Sequence, residues 1–281
     1  MLKVIRLVGV NISRALRSFA FWAPCAVCVT LMFVYTKADL VLGNSFGDYD
    51  LHYLLRFGLG NGSDIFLLLV CTFSSAGLFA EDWCSGRFTN TYLRSGKRGY
   101  AVAQTASVFI ISLLVVMISV AVFLLICMGL GSEAVRDPTA RDFWQAARNY
   151  PNGDLLVRGD YFAFFFLYAL IEGCYAGVLA VMGFVFSIVL TNKYIAAVIP
   201  TLIMSVANRI LTMVNAPLLI IPAQVYGLRS LYPWIHGNRE KNLSFISLIY
   251  PYAYTLIFVV LLGTAAYFMI KNKVAKSSDL R

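Results

Sequence analysis

The chain has 281 residues, 60% of them hydrophobic and only 13% charged, with a mean hydropathy of +0.75. Such a composition excludes an ordinary soluble domain, in which about a quarter of the residues are charged. The net charge of +9 is distributed as a membrane topology signal rather than as a nucleic-acid surface, so no nucleic acid is expected.

A helix needs roughly 20 apolar residues to cross a hydrocarbon core of about 30 Å. Six runs qualify, at 19–35, 65–80, 101–130, 161–190, 194–214 and 245–270. They are continuous rather than alternating, which excludes a β-barrel. The expected fold is an all-α integral membrane protein of six transmembrane helices, one domain over 1–281.

Taken in order, residues 1–18 read as an amphipathic interfacial helix. Lys3, Arg6, Arg14 and Arg17 fall within roughly an 80° arc at helical spacing, opposite Leu2, Ile5, Val8, Ile12 and Leu16. Its cations belong near anionic headgroups, which makes membrane lipid an expected partner. Pro24 falls near the start of the first span, where a missing N–H costs little. Cys25-x-x-Cys28 has redox or metal spacing, but it lies in an apolar helix without a second ligand pair and reads as core packing. Residues 36–64, with His52 and the sequon at Asn61, and residues 131–160, with Trp144 and Tyr150-Pro-Asn-Gly, read as solvated external loops.

Between the second and third runs lies a charged island at 81–100. It holds Glu81, Asp82, Arg87, Arg94, Lys97 and Arg98, with Gly86 and Gly96 placed for tight turns. The fourth and fifth runs are joined only by Thr191-Asn192-Lys193 and form a tight antiparallel pair. They carry Glu172 and Arg209, each about 25–30 Å from that turn at helical rise. Two opposite charges at one depth are expected to pair, or to share a wet element of a substrate path. Gly173-x-x-x-Gly177 and Ala176-x-x-x-Ala180 give the fourth span a small-residue face for close helix approach. The aromatics from Phe162 to Tyr168 read as packing or lipid contact. Residues 215–243, apolar but broken by Pro217 and Pro222, read as short external or re-entrant helices capping the bundle.

The basic residues of the N-terminal segment, the island, the Lys193 turn and the C-terminal tail fall on one side of a six-span topology. The opposite loops carry ten acidic residues against nine basic ones. By the positive-inside rule both termini are cytoplasmic. The first apolar run starts late and has no small-residue cleavage site, so no cleavable signal peptide is expected. The sequence has no H-E-x-x-H, two histidines, no G-x-S-x-G and no phosphate-binding G-x-x-x-x-G-K-[ST]. No metal site, no catalytic residues and no ATP site of the chain's own are therefore expected.

The island resembles the region after the second span in permease subunits of ABC-2 type ABC transporters. There an acidic residue ends the second helix. A Gly-containing stretch and a small-residue turn with an Arg follow, and an aromatic or aliphatic residue opens the third helix. Glu81, Ser85-Gly86, Asn90, Leu93, Ser95-Gly96, Arg98 and Tyr100 stand here in that order, and Gln104 stands where many relatives carry Lys. The resemblance implies a non-enzymatic subunit of the bacterial cytoplasmic membrane, working as a homodimer or heterodimer with a second permease protomer. Each protomer would bind a separate cytoplasmic ATP-binding cassette subunit that holds the ATP and Mg. It further implies that 81–100 is the coupling helix, that the turn at Lys193 is a second contact, and that the system exports a drug, peptide, lipid or polysaccharide. On physical grounds, Arg87, Arg94, Lys97 and Arg98 offer rim contacts, while Phe88, Tyr92 and Leu93 can anchor in a pocket of the partner. The alternatives are a non-transporting immunity or sensor component and an ion-coupled secondary transporter.

Overall fold

The computed structural model describes residues 2–39, 49–59, 64–137, 139, 153–190, 192–214 and 243–278. Among these, the elements are helices: α1 (Leu2–Leu16), α2 (Phe19–Asp39), α3 (Leu51–Leu59), α4 (Asp64–Phe73), α5 (Leu78–Cys84), α6 (Arg87–Gly129), α7 (Gly153–Arg158), α8 (Tyr161–Val189), α9 (Lys193–Met213) and α10 (Leu243–Ser278). Five helices are long and apolar enough to cross a membrane: α2, α6, α8, α9 and the Ile249–Ala275 stretch of α10. Their bounds follow five of the six apolar runs. The cap expected over 215–243 lies outside the described residues up to its last position, as does the Asn61 sequon.

The second run departs from expectation. It does not form one span but two short helices, α4 and α5, parted by turns at 74–77. Ser74, Ser75 and Leu78 close i→i+3 backbone bonds to Cys71, Thr72 and Ser75, which tighten the chain out of α-geometry. Side-chain hydroxyls at the break bond to its own backbone and to the neighbouring helices. Ser74 Oγ donates to the Cys71 carbonyl at 2.7 Å, Thr72 Oγ1 lies 3.1 Å from the Ala197 carbonyl, and Ser75 Oγ lies 2.8 Å from Ser112 Oγ. The chain packs closely at the break. A Cβ on Gly77 would stand 2.7 Å from Lys193 Cβ, and one on Gly183 would stand 2.7 Å from Ala76 Cβ and 3.0 Å from the Ala196 carbonyl.

α8 is the central helix, buried on most of its faces between α6, α9, α4 and α10. Its small residues do what their spacing predicts. A Cβ on Gly177 would meet Phe109 Cδ2 at 2.5 Å, one on Gly173 would meet Leu113 Cγ at 3.1 Å, and Ala176 and Ala180 are fully buried. The aromatics at its start alternate, with Phe164 and Tyr168 in the core and Phe162 and Phe166 exposed.

α1 stops at Leu16, two residues short of the expected 1–18 boundary. Ser18 Oγ donates to the Ala15 carbonyl at 2.9 Å, and Trp22 Nε1 to the Leu16 carbonyl at 2.8 Å. These bonds satisfy carbonyls that a helix end leaves orphaned, and the chain turns into α2. The first external loop needs a second correction, because part of it is the helix α3. Leu51, Leu54, Leu55 and Leu59 are buried against α2 at i, i+3, i+4, i+8 spacing, and His52 is buried with them. Cys25 and Cys28 are buried in the main core, and Cys28 Sγ lies 3.6 Å from Cys71 Sγ.

Candidate functional site

The charged island folds into two pieces joined by one left-handed residue. α5 ends at Cys84, Ser85 closes it with a hydroxyl bond to the Glu81 carbonyl at 2.7 Å, and Gly86 takes φ +70°. Only glycine adopts that conformation without strain. α6 starts at Arg87 and is interrupted at Gly96, whose φ of 73° and ψ of 166° lie outside helical space. The residues between the two glycines therefore form a short helix of their own, set off from the long apolar part of α6. Both glycines have open space where a Cβ would stand, so backbone conformation and not packing demands them.

This short helix is fastened from below. Phe88, 6% exposed, packs edge-on to Phe79 and Tyr100 and against Trp83 and Tyr92. Lys273 from α10 lies 5.1 Å from the Phe79 ring centroid and 4.7 Å from that of Trp83, and it donates to the Ile188 carbonyl. The cation thus ties α10 and the end of α8 to the aromatic cluster under the island. Phe88 must be corrected from a partner-facing anchor to an internal one. It stands one turn from Tyr92 on the face that meets Phe79 and Tyr100, and burying that ring against its own bundle leaves nothing to present outward. Tyr92 is half-buried, and its hydroxyl has no hydrogen-bond partner among the described residues. Leu93 is 74% exposed, and Arg87, Asn90, Arg94, Lys97 and Arg98 are exposed as well.

A buried polar network holds α1, α5 and α6 together. Asp82, 3% exposed, accepts from Gln104 Nε2 at 2.7 Å, Arg14 Nη1 at 3.3 Å and the Tyr100 hydroxyl at 3.4 Å. Asn11 Nδ2 extends the network to Gln104 Oε1 at 3.1 Å and Ser107 Oγ at 3.2 Å. Burial raises the Asp82 carboxyl above its ordinary value, and the Arg14 guanidinium opposes that rise without cancelling it. Sequence reasoning counted Asp82 only as a surface charge and missed this arrangement. The available signal was Asn11 and Gln104, two amides at otherwise apolar positions on two helices.

Glu81, next to Asp82, points the other way and is exposed. Lys193 Nζ donates to Glu81 Oε1 at 3.0 Å, which joins the start of α9 to α5. Asn192 caps α9 by accepting from the Tyr194 and Ile195 amides at 3.0 and 3.3 Å. Arg14, Lys193 and Lys273 each bind at or beside α5. The four basic segments therefore meet at one end of the bundle.

Glu172 and Arg209 do not form the ion pair expected from their matched depth. Glu172 lines a small cavity of about 20 Å³ with Cys28, Cys71, Met32, Leu68 and Ser119, whereas Arg209 is exposed on the outer face of α9. Depth along a helix was readable from the sequence, but the angle about its axis was not, and α8 and α9 turn these two positions apart. Among the described residues no group of three or more His, Cys, Asp or Glu is placed to hold a metal ion.

No family model matches this chain, no characterised protein matches its sequence, and no solved structure matches its fold.

Proposed function

We propose that the chain is the transmembrane permease subunit of an ATP-driven exporter of the ABC-2 type. In this reading six membrane passages, with the apolar run at 65–80 as the second, leave both termini in the cytoplasm of a bacterial cell. The basic end faces a separate ATP-binding cassette subunit that binds ATP and Mg. The chain itself catalyses nothing, and a second permease protomer completes the path for a peptide, drug or lipid.

The observation that carries this reading is the short helix between Gly86 and Gly96. It is clamped to its own bundle by Phe88 and leaves Leu93 exposed, with Arg87 and Arg94 exposed on the same short helix and Lys97 and Arg98 exposed just past Gly96. An exposed leucine in a segment rich in exposed cations has the makeup of a small docking face, an apolar anchor with charged contacts. The face also has a mechanical connection inward. Gly96 leads into the longest helix of the molecule, and α5 is tied to α1 by Asp82–Arg14 and to α9 by Glu81–Lys193. A displacement of the short helix is thereby passed to several membrane helices at once, as a packed two-state element requires.

The test is co-purification with, and transport driven by, an ATP-binding cassette subunit expressed alongside the chain. Replacing Leu93 with Asp should abolish co-purification or uncouple ATP hydrolysis from transport while membrane insertion stays intact. Unchanged coupling in that variant would remove the docking face from consideration, and transport by the chain alone on an ion gradient would overturn the reading itself.

A further inference from the structure

A cleft of about 450 Å³ at the basic end of the bundle opens between the α1–α2 elbow, the α4–α5 break and the start of α9. We propose that it is a binding site for one anionic glycerophospholipid, with the phosphate at Arg14 and Arg87 and an acyl chain running along α2 and α4.

Charge argues for the phosphate. Arg14, Arg87 and Lys193 line the cleft against a single carboxylate, Glu81. Lys193 is neutralised by Glu81 and Arg14 is shared with Asp82, but Arg87 makes no ion pair among the described residues. The excess positive charge therefore sits on Arg87 and its neighbour in the lining, Arg14, and guanidinium groups suit a phosphate through paired N–H donors. The hydroxyls of Ser18 and Ser74 lie on the same lining.

Shape argues for the lipid. The cleft is not polar throughout. Its remaining wall is formed by Phe19, Ala23 and Phe73, and both phenylalanines are exposed, Phe19 at 85% and Phe73 at 38%. α2 and α4 lead from there into the apolar body of the bundle, so a molecule seated on the cations has an apolar groove to follow. A free phosphate would leave that wall bare, whereas an amphiphile covers both halves. Such a position, at the level where cations meet headgroups, is where anionic lipids concentrate around basic segments.

The experiment uses the full chain purified in neutral detergent, without any ATPase, so its outcome is separate from that of the transport reading. The thermal midpoint is followed during titration with phosphatidylglycerol, phosphatidylcholine and glycerol 3-phosphate. Phosphatidylglycerol should raise the midpoint saturably and lose its effect as salt is added, while the other two should not. Arg87→Gln should weaken the apparent affinity about fivefold, the share of one cation near a headgroup. Ala23→Phe should weaken it by filling the groove, whether or not Arg87→Gln folds, and Lys271→Gln, outside the cleft, should change nothing. Equal stabilisation by phosphatidylcholine would overturn the proposal, as would the same response to glycerol 3-phosphate alone. Wild-type titration curves from both Arg87→Gln and Ala23→Phe would do so too. Cross-linking of Ala23→Cys chains to one another that lipid does not compete away would place a second copy in the cleft and overturn it as well.

Discussion

The two polar regions of this molecule treat charge in opposite ways. At the basic end both acids of α5 have partners: Asp82 is enclosed by Arg14, Gln104 and Tyr100, and Glu81 is met by Lys193. In the apolar body, Glu172 and Arg209 stand at matched depth, yet Glu172 faces a cavity inside the bundle and Arg209 faces out. The lesson is that shared depth does not make a pair. At the basic end three separate elements were brought onto α5 by packing, and the polar bonds followed. On α8, the face that packs is the small-residue face, and it fixes the rotation of Glu172 regardless of where Arg209 lies.

Packing at the α4–α5 break is therefore the first thing to disturb. Gly183→Ala places a methyl 2.7 Å from Ala76 Cβ and 3.0 Å from a backbone carbonyl, neither of which can swing aside. It should destabilise the chain by about 1–3 kcal/mol, the usual cost of overpacking, as read from thermal unfolding in detergent. Gly177→Ala meets the Phe109 side chain at 2.5 Å and should cost less, because a ring can tilt away. Equal tolerance of both substitutions would mean that the break is not held by close approach.

The next largest effect separates the two neighbouring acids. Asp82→Ala leaves Gln104 and Arg14 without their shared acceptor in a buried site and should cost about 1–3 kcal/mol. Glu81→Ala removes an exposed pair, whose two side chains are 50% and 44% exposed, and should cost under about 1 kcal/mol. The sign of the pH dependence is also fixed. Because the folded Asp82 carboxyl is raised above its value in the unfolded chain, the folded state holds the proton more tightly. Stability therefore falls as pH rises through the window above 3.8 and is regained on acidification. Measured against Asp82→Asn, wild type should gain stability as pH is lowered through that window, and the reverse trend would mean that Arg14 outweighs burial.

The smallest effect tests the apolar body. A double-mutant cycle on Glu172→Gln and Arg209→Gln should return a coupling energy under about 0.5 kcal/mol, the additivity expected of residues that do not touch. A coupling of several times that size would restore the ion pair and remove the contrast between the two regions.

Much of the architecture was legible in advance. The bounds of α8 and α9 lie within a residue of the apolar runs at 161–190 and 194–214, and Gly86 and Gly96, singled out for tight turns, both take positive φ. The break in the second run was not legible, because Ser74, Ser75 and Gly77 are all tolerated in a membrane helix. At that break Gly77 and Ala76 pack closely against Lys193 and Gly183 from another part of the chain. α3 was written in the spacing of Leu51, Leu54, Leu55 and Leu59, but Gly, Asn and Asp around it gave the segment the composition of a loop.

The sequence by itself determined that this is a helical chain with several apolar helices long enough to cross a membrane. It also placed one charged, glycine-bounded segment between two of those helices. Transfer of apolar side chains out of water and the conformational limits of glycine are local properties, so composition and spacing carry them. The tertiary structure alone decided which side of each helix faces inward. That choice buried Asp82 rather than Glu81, turned Phe88 inward while leaving Leu93 exposed, and parted Glu172 from Arg209. Helix rotation is set by the sum of contacts from all neighbours, which no single stretch of sequence contains.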